Sequence, residues 1–355
     1  MSDAQAERYP FTTPYGWFAV IDSDDLAVGD AKAAYYHGTH LVIWRDELGD
    51  AHVQDAFCPH LGAHLGHGGT VERCEIMCPF HGWKFDVEGA NSDIPYSERT
   101  NRKAKLKTYP ATEVNGFVFA WFHPADEAPM WEMVQVEEIL TDEFAGPKKT
   151  SHVVAAGIQE MAENAVDSAH FRYVHNVAEV PEIVRYDMDG HQTFMESLQK
   201  FPTPRGVVNG QINAQQMGPG SSIVRFSGII DTILVSASTP IDSGQTETRF
   251  HFYVKNLGDA ATNSTVGDAF AAEVDRQFVE DIPVWEHKAH LVRPALADND
   301  GPFMKFRKWY SQFYVEEAHG ERTVFPPPYW PDKMDDTPAK ATASAKYTGN
   351  AKADA

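Results

Sequence analysis

Cys58-Pro59-His60-Leu61-Gly62 and Cys78-Pro79-Phe80-His81-Gly82 are the two stretches that decide the fold, with seventeen residues between His60 and Cys78. Each supplies one thiol and one imidazole on a short loop stiffened by proline. Two such loops can bring Cys58 and Cys78 to one iron of a [2Fe–2S] cluster and His60 and His81 to the other. In that mixed set the neutral imidazoles replace two thiolates and raise the reduction potential. Gly62, Gly66, Gly68, Gly69 and Gly82 suit loops that wrap a cofactor closely.

The same four side chains could close a structural zinc site. Zinc pairs usually read C-x₂₋₄-C and H-x₃₋₅-H. Here each loop carries one Cys and one His, as C-x-H and then C-x₂-H, which is the order of a Rieske centre. His64 and His67 fall between the clusters without matching partners and read as loop residues or as groups behind the ligands. Cys74, the third cysteine, reads as a small buried apolar residue.

A second constellation turns an electron carrier into an enzyme. Residues 158–175 are mostly good helix formers and contain Asn164, Asp167, His170 and His175, spaced N-x₂-D-x₂-H-x₄-H. On a helix, Asp167 and His170 share a face. His170 and His175 are five residues apart, so the helix must end or distort before both can reach one metal. With a carboxylate from elsewhere they would form a 2-His-1-carboxylate triad, which holds Fe(II) and leaves positions open. Taken alone, the pair is a weak signal and reads more readily as buried, hydrogen-bonded histidines than as metal ligands.

Together the two motifs resemble the Rieske non-haem iron oxygenases, in their oxygenase (α) subunit, from about Tyr15 to Tyr314. That resemblance implies one [2Fe–2S] cluster on Cys58, His60, Cys78 and His81, and one mononuclear Fe(II) on His170, His175 and a late aspartate. Asp281 is the choice, because Glu280-Asp281-Ile282-Pro283-Val284-Trp285 is similar to the family's E-D-x-x-[IV]-W segment. Glu280, Asp275 and Asp298 are rival carboxylates. His287 and His290, in an H-x₂-H spacing, are read as helix-surface residues. The resemblance also implies a homotrimer without a β subunit. In it Asp167 bridges His170 on its own chain and His81 of a neighbouring subunit, with Glu163 and Asn164 in the same polar neighbourhood. O₂ is the co-substrate. The chain has no flavin or nicotinamide signature, so electrons come from NAD(P)H through a separate reductase, with or without a ferredoxin.

The fold class expected is α+β, in two domains and a tail. A Rieske domain at 14–125 consists of short antiparallel strands such as 17–21, 40–44 and 116–122, with turns at 47–50 and 88–91. A catalytic domain at 126–332 opens with the 158–175 helix. It continues with strands near 192–200, 222–238 and 247–255 and a helix at about 264–293, which the resemblance makes a helix-grip fold. Residues 333–355, poor in large apolar groups, read as a disordered tail.

Net charge is −21, from 30 basic and 51 acidic residues without a strongly basic block, which argues against nucleic acid. No leader and no membrane-length apolar run is visible, and the expected location is the cytoplasm. Ile94-Pro95-Tyr96, Asp300-Gly301-Pro302, Arg307, Trp309-Tyr310 and Gln312-Phe313-Tyr314 resemble segments of 3-ketosteroid 9α-hydroxylase oxygenase components. The expected reaction is monohydroxylation of an apolar, polycyclic, steroid-like substrate. Demethylation, desaturation or a smaller aromatic substrate on the same scaffold is the alternative. The same C-terminal aromatics could instead simply pack that segment.

Overall fold

The structure, a computed structural model, describes residues 8–203 and 206–315. The tail expected at 333–355 lies outside the described residues. Two compact units emerge: Gly16–Gln135, and a second that runs on from Val136 and includes the segment up to Tyr15.

The first unit has eleven strands: β1 (Gly16–Asp22), β2 (Ala31–Tyr36), β3 (Thr39–Arg45), β4 (Ala51–Asp55), β5 (Thr70–Glu72), β6 (Glu75–Met77), β7 (Lys84–Asp86), β8 (Asn91–Asp93), β9 (Thr108–Tyr109), β10 (Ala111–Val114) and β11 (Phe117–Phe122). They form three antiparallel sheets, β1-β11-β10, β2-β3-β4-β9 and β5-β6-β7-β8. Strands β1 and β11 are buried almost throughout, with Trp17 opposite Trp121 and Ala19 opposite Phe119. Burial on both faces is why they read as continuous apolar runs rather than alternating ones. Buried Arg45 ties the turns together, donating to the carbonyls of Leu26, Gly49 and Ser23 and to both carboxylate oxygens of Glu113. The two Cys/His loops hang from the sheet of three-residue strands, β5-β6-β7-β8, one entering β5 and the other joining β6 to β7.

The second unit is built on a seven-stranded antiparallel sheet of β12 (Phe144–Val154), β13 (Glu182–Asp189), β14 (Gln192–Thr203), β15 (Gly206–Met217), β16 (Ser221–Ser227), β17 (Thr232–Asp242) and β18 (Gln245–Lys255), in the order β12-β18-β17-β16-β15-β14-β13. Its helices are α1 (Ile158–Ala162), α2 (His170–Tyr173), α3 (Ala260–His287) and α4 (Phe303–Tyr310). Among the described residues the architecture is α+β.

Helix α3 starts where the Asp259 carboxylate accepts from the Thr262 N–H at 2.8 Å. Its apolar stripe, Ala271, Val274, Phe278, Ile282 and Trp285, packs against Leu234, Phe250, Phe252, Val154 and Met161. Asp281 falls on that same buried face. A carboxylate within an apolar stripe is costly to bury unless something pairs it.

Several sequence expectations change here. The helix expected over 158–175 is three pieces: α1, a 3₁₀ turn at Glu163–Val166, and α2 after an extended Asp167 (φ −97°, ψ 101°). Asp167 therefore does not share a helical face with His170; it caps the helix on which His170 sits. The strand near 222–238 is two strands joined by a turn. Strands β12, β13 and β15 went unseen because charges and amides break their alternation. The late helix ends at His287. Cys74, expected buried, is half-buried at the β5–β6 turn.

His290 is corrected outright. It lies beyond the helix, 1 % exposed, with Nδ1 2.5 Å from a Glu160 carboxylate oxygen. Glu160 also faces Lys288 at 2.7 Å, and Glu163 is gripped by Arg307 through two nitrogens. These buried pairs fasten the back of α1 to the end of α3 and to α4. Trp309, Tyr310, Phe313 and Tyr314 are buried around them, so the C-terminal aromatics pack this segment rather than line a cavity. Phe11 stacks on Tyr314, and the Tyr9 and Tyr314 hydroxyls meet at 3.0 Å, which draws the N-terminal segment into the second unit.

Candidate metal centres

The two Cys/His loops are copies of one turn. In the first, the Cys58 N–H donates to the Ala63 carbonyl and the Gly62 N–H donates back to the Cys58 carbonyl, both at 2.8 Å. In the second, the Cys78 N–H donates to the Trp83 carbonyl at 2.8 Å and the Gly82 N–H to the Cys78 carbonyl at 3.0 Å. Gly62 and Gly82 occupy the same place in each turn with φ of 78° and 72°, left-handed values that suit glycine. Both cysteines are 2 % exposed. The His60 and His81 rings lie 4.7 Å apart, and His60 stacks on Trp83 at 4.4 Å and 6°. Buried His60 Nδ1 has no hydrogen-bond partner, an orphaned acceptor or donor that a metal would satisfy. Among the described residues, no three of these four ligand atoms converge within 4.8 Å. A single zinc ion draws its ligands closer than that, whereas a two-iron cluster spreads them.

In the second unit, His170, His175 and Asp281 do converge within 4.8 Å. His170 stands on α2; His175 follows that helix, where the chain turns through Asn176 at φ 56°. The helix therefore ends between the two ligands, without a π-type bulge. Hydrogen bonding sets both imidazoles. His170 Nδ1 donates to the Asp167 backbone carbonyl at 2.7 Å, and His175 Nδ1 lies 3.0 Å from Glu280 Oε2. An acceptor at each Nδ1 leaves each Nε2 lone pair facing inward, the tautomer a metal needs. His175 Nε2 is 3.4 Å from Asp281 Oδ1, and Asn164 Nδ2 reaches both His170 Nε2 (3.2 Å) and Asp281 Oδ2 (3.0 Å). Burial lowers the His175 pKa, but Asp281 and Glu280 outweigh it and hold the value above the ordinary one.

Of the rival carboxylates, Glu280 backs His175 rather than joining the triad, Asp275 bonds His152 at 2.6 Å, and Asp298 is exposed in a loop. The sequence carried the Glu280–Asp281 pair but not the division of labour between its members. On α3 neighbouring residues point in different directions, so one reaches the Nε2 side and the other the Nδ1 side.

Asp167 Oδ1 accepts from the N–H groups of Ala169 and His170 at 3.0 and 3.3 Å, and lies 3.9 Å from His170 Nδ1. On its own chain, then, the carbonyl of Asp167 takes the shorter bond to the imidazole. Burial raises the carboxyl pKa, yet His170 and those N–H groups outweigh it and keep the group ionised. The side chain remains 31 % exposed.

A cavity of about 270 Å³ opens over the triad, between α1, α2, α3 and the sheet. One cross-strand row facing it is largely apolar: Tyr186, Met195, Ala214, Val224 and Leu234. The next carries hydroxyls and an amide: Thr193, Gln216, Ser222 and Ser236. Phe171, Phe226, Phe250 and Phe278 close the sides.

Residues 16–110 match the Rieske [2Fe-2S] domain, and residues 120–314 match the 3-Ketosteroid 9alpha-hydroxylase C-terminal domain. The chain belongs to the Rieske oxygenases, and its larger part to the 3-ketosteroid 9α-hydroxylase C-terminal domain family. A 3-ketosteroid-9-alpha-monooxygenase oxygenase component from Rhodococcus rhodochrous is 30% identical over 319 residues, covering 85% of this chain and 84% of that protein. Cholesterol 7-desaturase nvd 1 from Ciona intestinalis is 31% identical over 344 residues, covering 87% of this chain and 70% of that one. A Pseudomonas putida CBB5 NdmA mutant with theobromine shares the fold, with a TM-score of 0.69 at 20% identity over 83% of this chain and 88% of that chain.

The chain is thus an enzyme, the terminal component of a multi-component oxygenase. Its family uses a [2Fe–2S] cluster, a mononuclear iron, O₂ and NAD(P)H through a separate reductase. Both groups of residues fit those metals, by the orphaned His60 nitrogen and by the paired tautomers of His170 and His175. Exchanging His60 for cysteine is expected to keep a cluster but lower its potential by about 200 mV or more, read in an EPR-monitored redox titration. An unchanged potential would contradict the ligand assignment.

Proposed function

We propose that the chain monohydroxylates a flat, apolar, polycyclic substrate of the steroid class, with His170, His175 and Asp281 holding the mononuclear Fe(II). When bound, that iron supplies O₂ activation. The observation that carries the substrate reading is the cavity: apolar and aromatic walls, with the polar row Thr193, Gln216, Ser222 and Ser236 beside them and further hydroxyls and an amide at Ser197, Gln199, Ser238 and Thr248. In that row Gln216 is buried and its Oε1 has no hydrogen-bond partner. A buried acceptor left unpaired is costly, and one oxygen function on an otherwise apolar ligand would satisfy it. The relatives named for ketosteroid and cholesterol chemistry support the same class.

The chain's own residues do the positioning. Glu280 and the Asp167 carbonyl hold the two imidazoles with Nε2 forward, and Asn164 steadies Asp281 and His170. The aromatic walls exclude water from the reacting end. In our reading the working form is a homotrimer in which the exposed side of the Asp167 carboxylate meets His81 of the neighbouring subunit. Its ionised state and partial exposure support that role.

The test is O₂ uptake by the holoenzyme with NADH and a reductase, with and without 3-ketosteroids and 3-hydroxysterols. Strong acceleration by one of these classes is expected, with a product that has gained one oxygen atom. If neither class accelerates uptake, the substrate reading fails while the enzyme class stands. A second reading, desaturation, is favoured by the cholesterol 7-desaturase relatives. It predicts a product that has instead lost two hydrogen atoms.

A further inference from the structure

The expectation of no strongly basic block is corrected here: acidic overall, the chain gathers Arg99, Arg102, Lys103, Lys105 and Lys107 within nine residues, where Glu98 is the one neighbouring carboxylate in 97–107. The net charge of −21 conceals this local reversal. The fold turns the run into a surface. Ala104 and Leu106 enter the core that also contains Cys58, Cys78 and Trp83, so the alternating Lys103, Lys105 and Lys107 face outward, and Arg99 and Arg102 are exposed as well. Many other cations are neutralised, as Arg45 by Glu113, Lys148 by Asp268 and Arg225 by Glu138. Here Lys107 pairs with Asp126, but Arg99, Arg102, Lys103 and Lys105 have no ion pair among the described residues.

A second observation ties the strip to the cluster loops. Just ahead of it, Pro95 packs so closely on the second loop that a Cβ on Gly82 would lie 3.0 Å from its ring. Tyr96, 63 % exposed, accepts a hydrogen bond from Trp83 Nε1 at 2.7 Å, and the Trp83 ring lies flat on His60. Surface phenol, buried indole and ligand imidazole follow one another in direct contact.

We propose that this basic strip, with Tyr96 at its edge, is the docking site of the external electron donor. The donor it fits is an acidic carrier protein: an iron–sulfur or flavin domain with carboxylates around its redox centre. The reduced donor loses one electron, which passes to the cluster held by Cys58, His60, Cys78 and His81, and no bond is made or broken. Charge complementarity argues for the occupant, since opposite fields steer encounter and fix orientation. An exposed aromatic within a charged rim is the usual anatomy of such a contact.

The experiment is stopped-flow reduction of the holoenzyme by an acidic plant-type [2Fe–2S] ferredoxin, compared with dithionite. Wild type should be reduced by ferredoxin with a rate that falls steeply as salt is added, as screening shortens. Arg102→Glu with Lys103→Glu should slow that reduction about tenfold at low salt and flatten the salt dependence. Reduction by dithionite, and particle mass by light scattering, should not change. Tyr96→Ala should slow transfer at saturating ferredoxin and leave the salt slope alone. A wild-type rate indifferent to salt, or an undiminished rate in the charge-reversed protein, overturns the proposal. So does an altered particle mass, which would assign the strip to a second copy of the chain. Cluster reduction needs no substrate, so this outcome is independent of the steroid reading.

Discussion

His175→Ala is expected to empty the mononuclear centre and abolish turnover while the cluster survives. His175 is 7 % exposed, its Nε2 faces Asp281, and its Nδ1 is fixed by Glu280. Apart from His170, no other imidazole among the described residues joins that group. Iron should fall from about three to about two per chain with acid-labile sulfide unchanged at about two. Substrate-dependent O₂ uptake should drop by about 10³-fold or more, and the visible spectrum of the cluster should stay as in wild type. His290→Ala is the informative companion. It lies buried on Glu160, on the other side of α1, and should keep all its iron while losing stability. If His290→Ala loses the mononuclear iron and His175→Ala does not, the assignment of the triad is wrong.

Gly301→Ala is expected to damage the same centre from a distance in sequence. A Cβ there would lie 1.6 Å from the Val166 carbonyl oxygen and 2.8 Å from its carbon. Both are backbone, Val166 is wholly buried, and no rotamer change relieves the clash. Room can come only from moving the chain that enters Asp167, whose carbonyl holds His170 and whose carboxylate caps α2. The cost should reach or exceed the 1–3 kcal/mol typical of overpacking, a fall in Tm of about 5 °C or more. Mononuclear iron should be lost in preference to the cluster. A variant with wild-type Tm and full iron would show that the two segments are not in this contact. The sequence marked Asp300-Gly301-Pro302 by resemblance; only the backbone approach explains why the middle residue has no side chain.

How much could be read in advance follows from which interactions are local. Cys58, His60, Cys78 and His81 were legible because each loop is a self-contained turn, its Cys N–H and carbonyl paired within five residues and its glycine needed for a left-handed φ. Spacing alone encodes such a turn. The strands β1 and β11 were legible for a similar reason, since burial on both faces leaves an unbroken apolar run. Strands β12, β13 and β15 were not, because polar side chains on a sheet are tolerated once neighbours and a cavity face them, and none of those neighbours is near in sequence.

The second centre divides in the same way. Sequence by itself determined the family and marked the candidates for its two centres, Cys58, His60, Cys78 and His81 and then His170, His175 and Asp281, because chemistry demands those residue types at those spacings. Tertiary structure alone decided that the 158–175 segment breaks at Asp167 and that Glu280 meets His175 at Nδ1 while Asp281 faces its Nε2. It likewise placed His290 in a buried ion pair and the C-terminal aromatics in packing rather than in the cavity. Apart from the break at Asp167, these outcomes rest on partners more than a hundred residues apart, brought together by burying α3 and α4 against α1 and the sheet. Burial, by making an unpaired polar group costly, fixes which partner each one takes.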